Sequence, residues 1–467
     1  MYTKRLPRGN KYRRRTNKLG AVDYKHDGSV VDLSVAAECY NFDGSSGALR
    51  PGYGIEEDES LVPNYAVRYW IYNYFSEEEN TYVKQRVYQI PSGQICYWSD
   101  ARDRHVFISG KVYPPFDVIN YKLDSKDVIL LSCDGHRLFT WNGRNLVEHE
   151  NSPMVSSMAL HYERLFVTSR DEKFKVFFSK NLDPTNWDIS ADGGGFIELL
   201  DERGYCNKVV SFGSYLYVFR ERGISRITAY GDQSEFAVVN LFVTAGRIFP
   251  SSIITCGNVI MFLASDGLYV FDGYDCRRVL ENLKSLIVPN DDCACAYHDG
   301  RYFLACKMNF RDGKTVGCET AEYKVNGLIS FDPNSGEYTI CRGMDIRFMN
   351  SCSFNGRDYL MGSDVDRAGI MTECGARYGE PLPKHWKSPA FDFGTPDKQK
   401  RILGIMIKSD GQASVTVDGD GQKTTYAVDN GTDVIKLFVS CYRMTVAVDA
   451  DAADCNVSPF TVTYSIF

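Results

Sequence analysis

No stretch of this chain is apolar for long enough to cross a membrane as a helix, which takes roughly 20 consecutive residues. The N-terminus is basic, but no apolar core follows it, so it does not read as a secretory signal. Tryptophan is scarce, with five residues, and the seven histidines (His26, His105, His136, His149, His161, His298 and His385) are scattered. No GxxxxGKS or GxxxxGKT loop is present to cradle phosphate, no HExxH helix to hold zinc, and no GxSxG turn to present a nucleophilic serine. Long runs with a 3.6-residue apolar period are also missing, which leaves at most a short helical turn near 281–287.

The fifteen cysteines are an odd number without the spacing of a small disulfide framework. Several lie in apolar strands, as Cys206 and Cys441 do, and read as reduced, buried thiols. Cys293 and Cys295 read as core and edge thiols that do not chelate one zinc together. Asp418-Gly419-Asp420-Gly421 resembles part of a calcium loop but lacks the downstream glutamate and oxygen ladder, and reads as a solvated hairpin turn. No metal and no cofactor are expected.

Turns and strand formers dominate. Thirty Tyr, 27 Phe and 39 Gly accompany many Val and Ile. The clearest unit is 253–279, in which Ile253–Thr255, Val259–Ala264, Leu268–Phe271 and Arg277–Val279 read as strands separated by Gly257-Asn258, Asp266-Gly267 and Asp272-Gly273. Related turns follow His161, Phe212, Cys256, His298 and Phe354, at steps of 51, 44, 42 and 56 residues. A further hairpin at Val128–Trp141 precedes them. Small antiparallel sheets recurring every 40 to 50 residues or so are the signature of propeller blades. His161 and His298 hold equivalent places before their turns, which repeat geometry explains without catalysis. Between repeats, an apolar strand runs into the Pro184 turn, which lets Trp187 fold back over a blade edge.

The expected fold is all-β: an irregular β-propeller with an extended N-terminal arm and a C-terminal β-sandwich. The expected domains are a basic flexible arm at 1–20, an extended lead-in to the first blade at 21–60, a propeller with insertions at 61–385 and a sandwich at 386–467. The net charge of −7 is unevenly distributed. Lys4, Arg5, Arg8, Lys11, Arg13, Arg14, Arg15 and Lys18 occupy the first eighteen residues with no acid among them, leaving the remainder near −15. Such an arm suits a partner that carries phosphate or carboxylate, and nucleic acid, an acidic protein surface and a solubilising role all stay open.

The order of the N-terminal residues carries a resemblance. The basic arm is followed by Asp32-Leu33, Ala37-Glu38-Cys39, Asn41, Gly47-Ala48-Leu49-Arg50 and Gly52-Tyr53-Gly54. Later come Ser179, Asn181, Pro184 and Asn186-Trp187, then Trp386-Lys387-Ser388, Phe393-Gly394 and Lys398–Lys400. This pattern resembles the tail nozzle, or tail tubular, proteins of short-tailed bacteriophages and the related plug proteins that stabilise packaged DNA. The resemblance implies a virion tail protein assembled in the host cytoplasm. It implies a non-enzymatic homohexameric ring below the portal and adaptor, around the DNA exit channel, with tail fibre or needle proteins as further partners. An acidic lumen would let double-stranded DNA pass without sticking. The alternatives are a propeller glycosidase or lyase, which needs acids with Arg or Tyr at one axial end, and a carbohydrate- or receptor-binding module carried by the sandwich.

Overall fold

The turn residues of 253–279 dictate the local path. Antiparallel strands Ile254–Cys256, Val259–Ala264, Gly267–Phe271 and Cys276–Val279 pair in chain order. Gly257 sits at φ 62° and Gly267 at φ 149°, backbone that residues with a Cβ rarely adopt. In the computed structural model, described at residues 10–25, 34–58, 61, 63, 65–99, 104–111, 117–133, 135–190, 193–244, 246–310, 325–364 and 367–467, this meander is one of seven blades.

The inner strands of blades 1 to 7 are Arg68–Ser76, Val118–Leu123, Val155–His161, Cys206–Phe212, Ile254–Cys256, Ala294–His298 and Phe348–Phe354. Blades 1 to 5 are four-stranded meanders. In blade 6, Ile287–Val288 also pairs with the far end of the second strand. Between blades the contacts are apolar, as where Phe219 meets Phe262 at 5.4 Å. His161 Nδ1 lies 2.9 Å from Ser211 Oγ and His298 Nδ1 lies 3.0 Å from Ser351 Oγ. Each equivalent histidine thus latches its inner strand to that of the next blade. Trp187 folds back among Val128, Leu130, Leu165 and Val167 between blades 2 and 3.

Blade 7 takes its fourth strand from the N-terminal side of the chain. Gly54–Glu56 pairs with Ala368–Thr372, Ile55 opposite Met371. The 21–60 segment therefore closes the last blade, where the sequence suggested a lead into the first. Gly54 is needed there because a Cβ would come within 2.1 Å of the Ala376 carbonyl. Asn350 Nδ2 then donates to the Tyr69 carbonyl at 2.7 Å and joins blade 7 to blade 1, completing the ring.

The C-terminal sandwich has a four-stranded sheet ordered Lys11–Arg15, Thr461–Ile466, Lys400–Ser409, Gly431–Cys441. Its five-stranded partner is ordered Glu38–Tyr40, Lys384–Lys387, Met444–Ala450, Ala413–Gly419, Gln422–Val428. This corrects the expectation of a flexible arm over 1–20. Residues 11–15 form a strand antiparallel to 461–465, with Tyr12 stacked on Tyr464 at 5.6 Å. The strand ends where Thr16 Oγ1 donates to the Phe460 carbonyl and accepts from the Phe460 N–H, both at 3.0 Å. A run of cations can be a strand when it lies on a sheet edge, where charge also deters unwanted pairing. Lys4, Arg5 and Arg8 lie outside the described residues.

The sandwich and propeller share one core. Leu19, Phe42 and Trp386 pack with sandwich residues such as Val446 and with Leu263, Leu304 and Ile340 of blades 5 and 6. Trp386 is fully buried and donates from Nε1 to the Gly20 carbonyl at 3.2 Å. Asn41, at φ 59°, ties the two bodies together. Its N–H donates to the Ile340 carbonyl at 2.8 Å, its Oδ1 accepts from the Arg342 N–H at 2.7 Å, and its Nδ2 donates to the Pro383 carbonyl at 2.7 Å.

Candidate functional site

Seven inner strands converge on the propeller axis, and where they start they enclose an open cavity of about 720 Å³. Each blade contributes from the same register. Blade 1 supplies Arg68, blade 2 Asp117, blade 3 Ser156 and Ser157, blade 4 Asn207 and Lys208, blade 6 Asp291 and Asp292, and blade 7 Arg347. Lys208 Nζ donates to the carbonyls of Ile253 at 3.0 Å and Pro250 at 3.4 Å, which ties blade 4 to blade 5. Asp117 takes its N–H to Ser132 Oγ at 3.0 Å, and its Oδ2 accepts from Ser157 Oγ at 3.3 Å. Asp291 is held by both terminal nitrogens of Arg247, at 2.8 and 3.0 Å.

The Arg68 guanidinium lies over the Phe348 ring, 4.7 Å from its centroid. Desolvation pulls it down to about 10 against the attraction of Asp117, and it stays protonated at neutral pH. Arg347 pairs with Asp345 at 2.7 Å, and burial pushes the Asp345 carboxyl up despite that partner. Cys293 and Cys295 also line the cavity, but burial raises both thiols, Cys295 to about 12, so neither is a thiolate nucleophile near neutral pH. The ring of serines, amide and opposed charges can receive a small polar or anionic group through hydrogen bonds. Sequence reasoning singled out Asp291-Asp292, as carboxylates that could seat a cation or an acid–base pair, and missed Arg68, Asp117, Ser157, Lys208 and Arg347. Their one shared signal is position: each falls at, or just before, the start of an inner strand.

The cations singled out in the sequence sit elsewhere, on the sandwich. Lys11, Arg13 and Arg15 alternate with Tyr12 and Arg14 along an exposed edge strand. Tyr12 and Arg14 lie on the side of Tyr464 and Val462, so Lys11, Arg13 and Arg15 share the outer face. Lys18 lies just beyond the strand and is exposed. The fold adds Arg401 and Lys408 from the second neighbouring strand and Lys436 from the opposite edge, all exposed and on the same face. No carboxylate shares that face, and none of the six forms an ion pair among the described residues. Exposed Met406, Val434 and Phe438 lie among them, Phe438 at 85% of its full exposure.

Other candidates resolve as structure. The Asp418–Gly421 turn is a hairpin in which Asp418 Oδ1 accepts from the Gly421 N–H at 2.8 Å. The Asp420 carboxylate takes the N–H groups of Tyr442 and Arg443, at 2.6 and 3.1 Å. No cluster of three potential metal ligands occurs among the described residues, and no described helix is long and apolar enough to span a membrane.

No protein-family model matches the chain, and no curated protein sequence is similar to it. Among solved structures, a virginiamycin B lyase from Staphylococcus aureus is similar with a TM-score of 0.40 at 10% identity, over 65% of this chain and 94% of that one.

Proposed function

We propose that this chain is a non-enzymatic structural subunit of a short phage tail, forming with its copies a ring around the DNA exit channel below the portal and adaptor. The observation that carries this reading is the outer face of the four-stranded sandwich sheet, with six cations and no carboxylate on a chain of net charge −7. An apolar centre rimmed by arginine and lysine suits an acidic protein surface, as a connector ring could offer. DNA would pass between copies. The axial cavity of one propeller, at about 720 Å³, has the size of a small-molecule pocket and not of a duplex channel. The resemblance in the N-terminal segment supports the same reading. Its Asn41, Gly52 and Gly54 are the residues that clamp the lead-in onto blades 6 and 7.

The test is electron-microscopic imaging with mass by light scattering, on the chain alone and with a portal–adaptor connector. A closed ring around a central channel in either condition is the expected result. Monomers that bind no connector would overturn the proposal. Because residues 11–15 form part of a sheet, the arm is probed by the charge reversals Arg13→Glu and Arg15→Glu, since truncation would strip an edge strand.

A second reading has an observation of its own. Asp117 and Asp292 stand with Arg68 and Lys208 at one axial end of the propeller, the arrangement a propeller lyase or glycosidase would need. Asp117→Asn and Arg68→Met variants distinguish the two readings. Ring assembly survives both changes if the chain is structural, whereas an axial ligand site loses its ligand-induced thermal shift.

A further inference from the structure

Five of the seven blades protect their outer edges by ordinary means. The outer strand of blade 5 carries Arg277 and Arg278. Blades 2 and 3 end in strands of only three and four residues, Leu146–Glu148 and Gly195–Glu198. The outer strand of blade 6 is covered by 38–43, and blade 7 is filled by Gly54–Glu56. Blade 4 differs. Its outer strand, Ala237–Val243, is seven residues long with the sequence AVVNLFV, carries no charge and pairs on one side only, with Gly223–Thr228. Val238, Val239 and Val243 are exposed at 39%, 41% and 49%. A bare apolar edge of this length is a template for another strand.

The chain itself offers that strand. Gly431–Cys441 is an eleven-residue edge of the sandwich whose only neighbour in its sheet is Lys400–Ser409. It presents Val434 and Phe438 to solvent, with Lys436 between them and Arg401 and Lys408 alongside. The blade 4 edge is flanked by exposed carboxylates. Asp232 and Glu235 precede the strand, and Glu202 lies beside Asp201, which accepts from Asn240 Nδ2 at 3.2 Å. Apolar strand thus faces apolar strand, and Asp232, Glu235 and Glu202 complement Lys436, Arg401 and Lys408, while Arg226, opposite Val239 in the neighbouring strand, is engaged over the Tyr215 and Tyr274 rings.

We infer that the outer strand of blade 4 docks the 431–441 strand of a second copy of this chain, making one sheet across the two. The contact is head-to-tail, because the two surfaces differ, one on blade 4 and the other on the sandwich, which packs on blades 5 and 6. Every copy keeps one surface of each kind, so the arrangement closes into a ring or extends as an open chain. It rests on the ring reading above for its closure, and it leaves Lys11, Arg13 and Arg15, at the opposite edge of the same sheet, to the connector.

The test uses two full-length variants, Val239→Asp and Phe438→Asp, each at an exposed position, with folding checked by circular dichroism. By light scattering, the native chain is expected to exceed its 52.8 kDa monomer mass, increasingly with concentration. Each variant alone is expected to stay monomeric. Mixed in equal amounts they are expected to form dimers and nothing larger, since each retains the surface the other has lost. Val238→Lys replaces Val239→Asp if the latter misfolds. A native chain that is monomeric throughout, variants that assemble like it, or a mixture that stays monomeric would each overturn the inference. Closed rings that persist in both variants would overturn it while leaving the ring proposal standing. Dimers from the mixture, with no closed ring from the native chain, would do the reverse.

Discussion

The propeller and the sandwich are both antiparallel β structures, yet the chain builds them in opposite ways. Blades 1 to 5 each come from one continuous stretch, paired in chain order. The sandwich gathers strands from 11–15, 38–40 and 384–387 around its C-terminal hairpins. Its edge strand joins Lys11 to Ser465 across nearly the whole chain. Local pairing loses little loop entropy and repeats, whereas closure across hundreds of residues needs a partner surface that already exists. The difference predicts that damage within a blade stays local, while damage at the joint reaches both bodies.

The sharpest test of that contrast is Trp386→Ala. It removes a fully buried indole where the sandwich meets blades 5 and 6, and it leaves the Gly20 carbonyl without its donor. A loss of about 3–5 kcal/mol is expected in urea unfolding, with sandwich and propeller signals moving together. Independent transitions for the two bodies would break the comparison.

Arg220→Ala is expected to cost about 3 kcal/mol and to act locally. The buried Arg220 guanidinium donates to Asp201 Oδ1 at 2.7 Å and to the carbonyls of Leu199 and Gly204, all in the crossing from blade 3 to blade 4. Hydrogen exchange should quicken in those two blades while the sandwich stays protected.

Asn41→Ala removes two side-chain hydrogen bonds and places alanine at positive φ, at a cost of about 2 kcal/mol. Limited proteolysis should then reach 38–56 before any blade interior.

A smaller, pH-dependent effect belongs to His161. Burial lowers it to about 4 from an ordinary value near 6.5, so the unfolded chain takes up the proton first. Its contribution is intact above pH 6.5 and is lost as pH falls through about 4. His161→Asn should flatten that part of the stability profile, measured as thermal midpoint against pH.

The smallest effect on stability is expected from replacing Lys11, Arg13 and Arg15 by serine, within about 0.5 kcal/mol, because all three are exposed. If the outer sheet face is the connector-docking surface, the same variant loses binding in a pull-down at low salt.

Legibility followed the same division. The strands of 253–279 emerge within a residue of where their turn glycines put them, because those signals are local. The seven-fold count, by contrast, depends on Gly54–Glu56 leaving its neighbours to complete blade 7, and no local pattern encodes that. The cations of 11–15 drew notice by charge, but charge alone suggested a free arm. Their sheet partners, and the company of Arg401, Lys408 and Lys436, exist only once the chain ends have met.

Residue by residue, then, the sequence alone determined an all-β chain of short hairpins, a tandem repeat and a basic N-terminal run. Each of these depends on neighbours a few positions apart, through turn conformation and the two-residue period of a strand. Tertiary structure alone decided that the N-terminal run is an edge strand, that blade 4 is left with a bare apolar edge, and that seven strand starts surround one polar cavity. Those features are sums over residues far apart in the chain, and they come into being only when burial of the shared core brings their segments together.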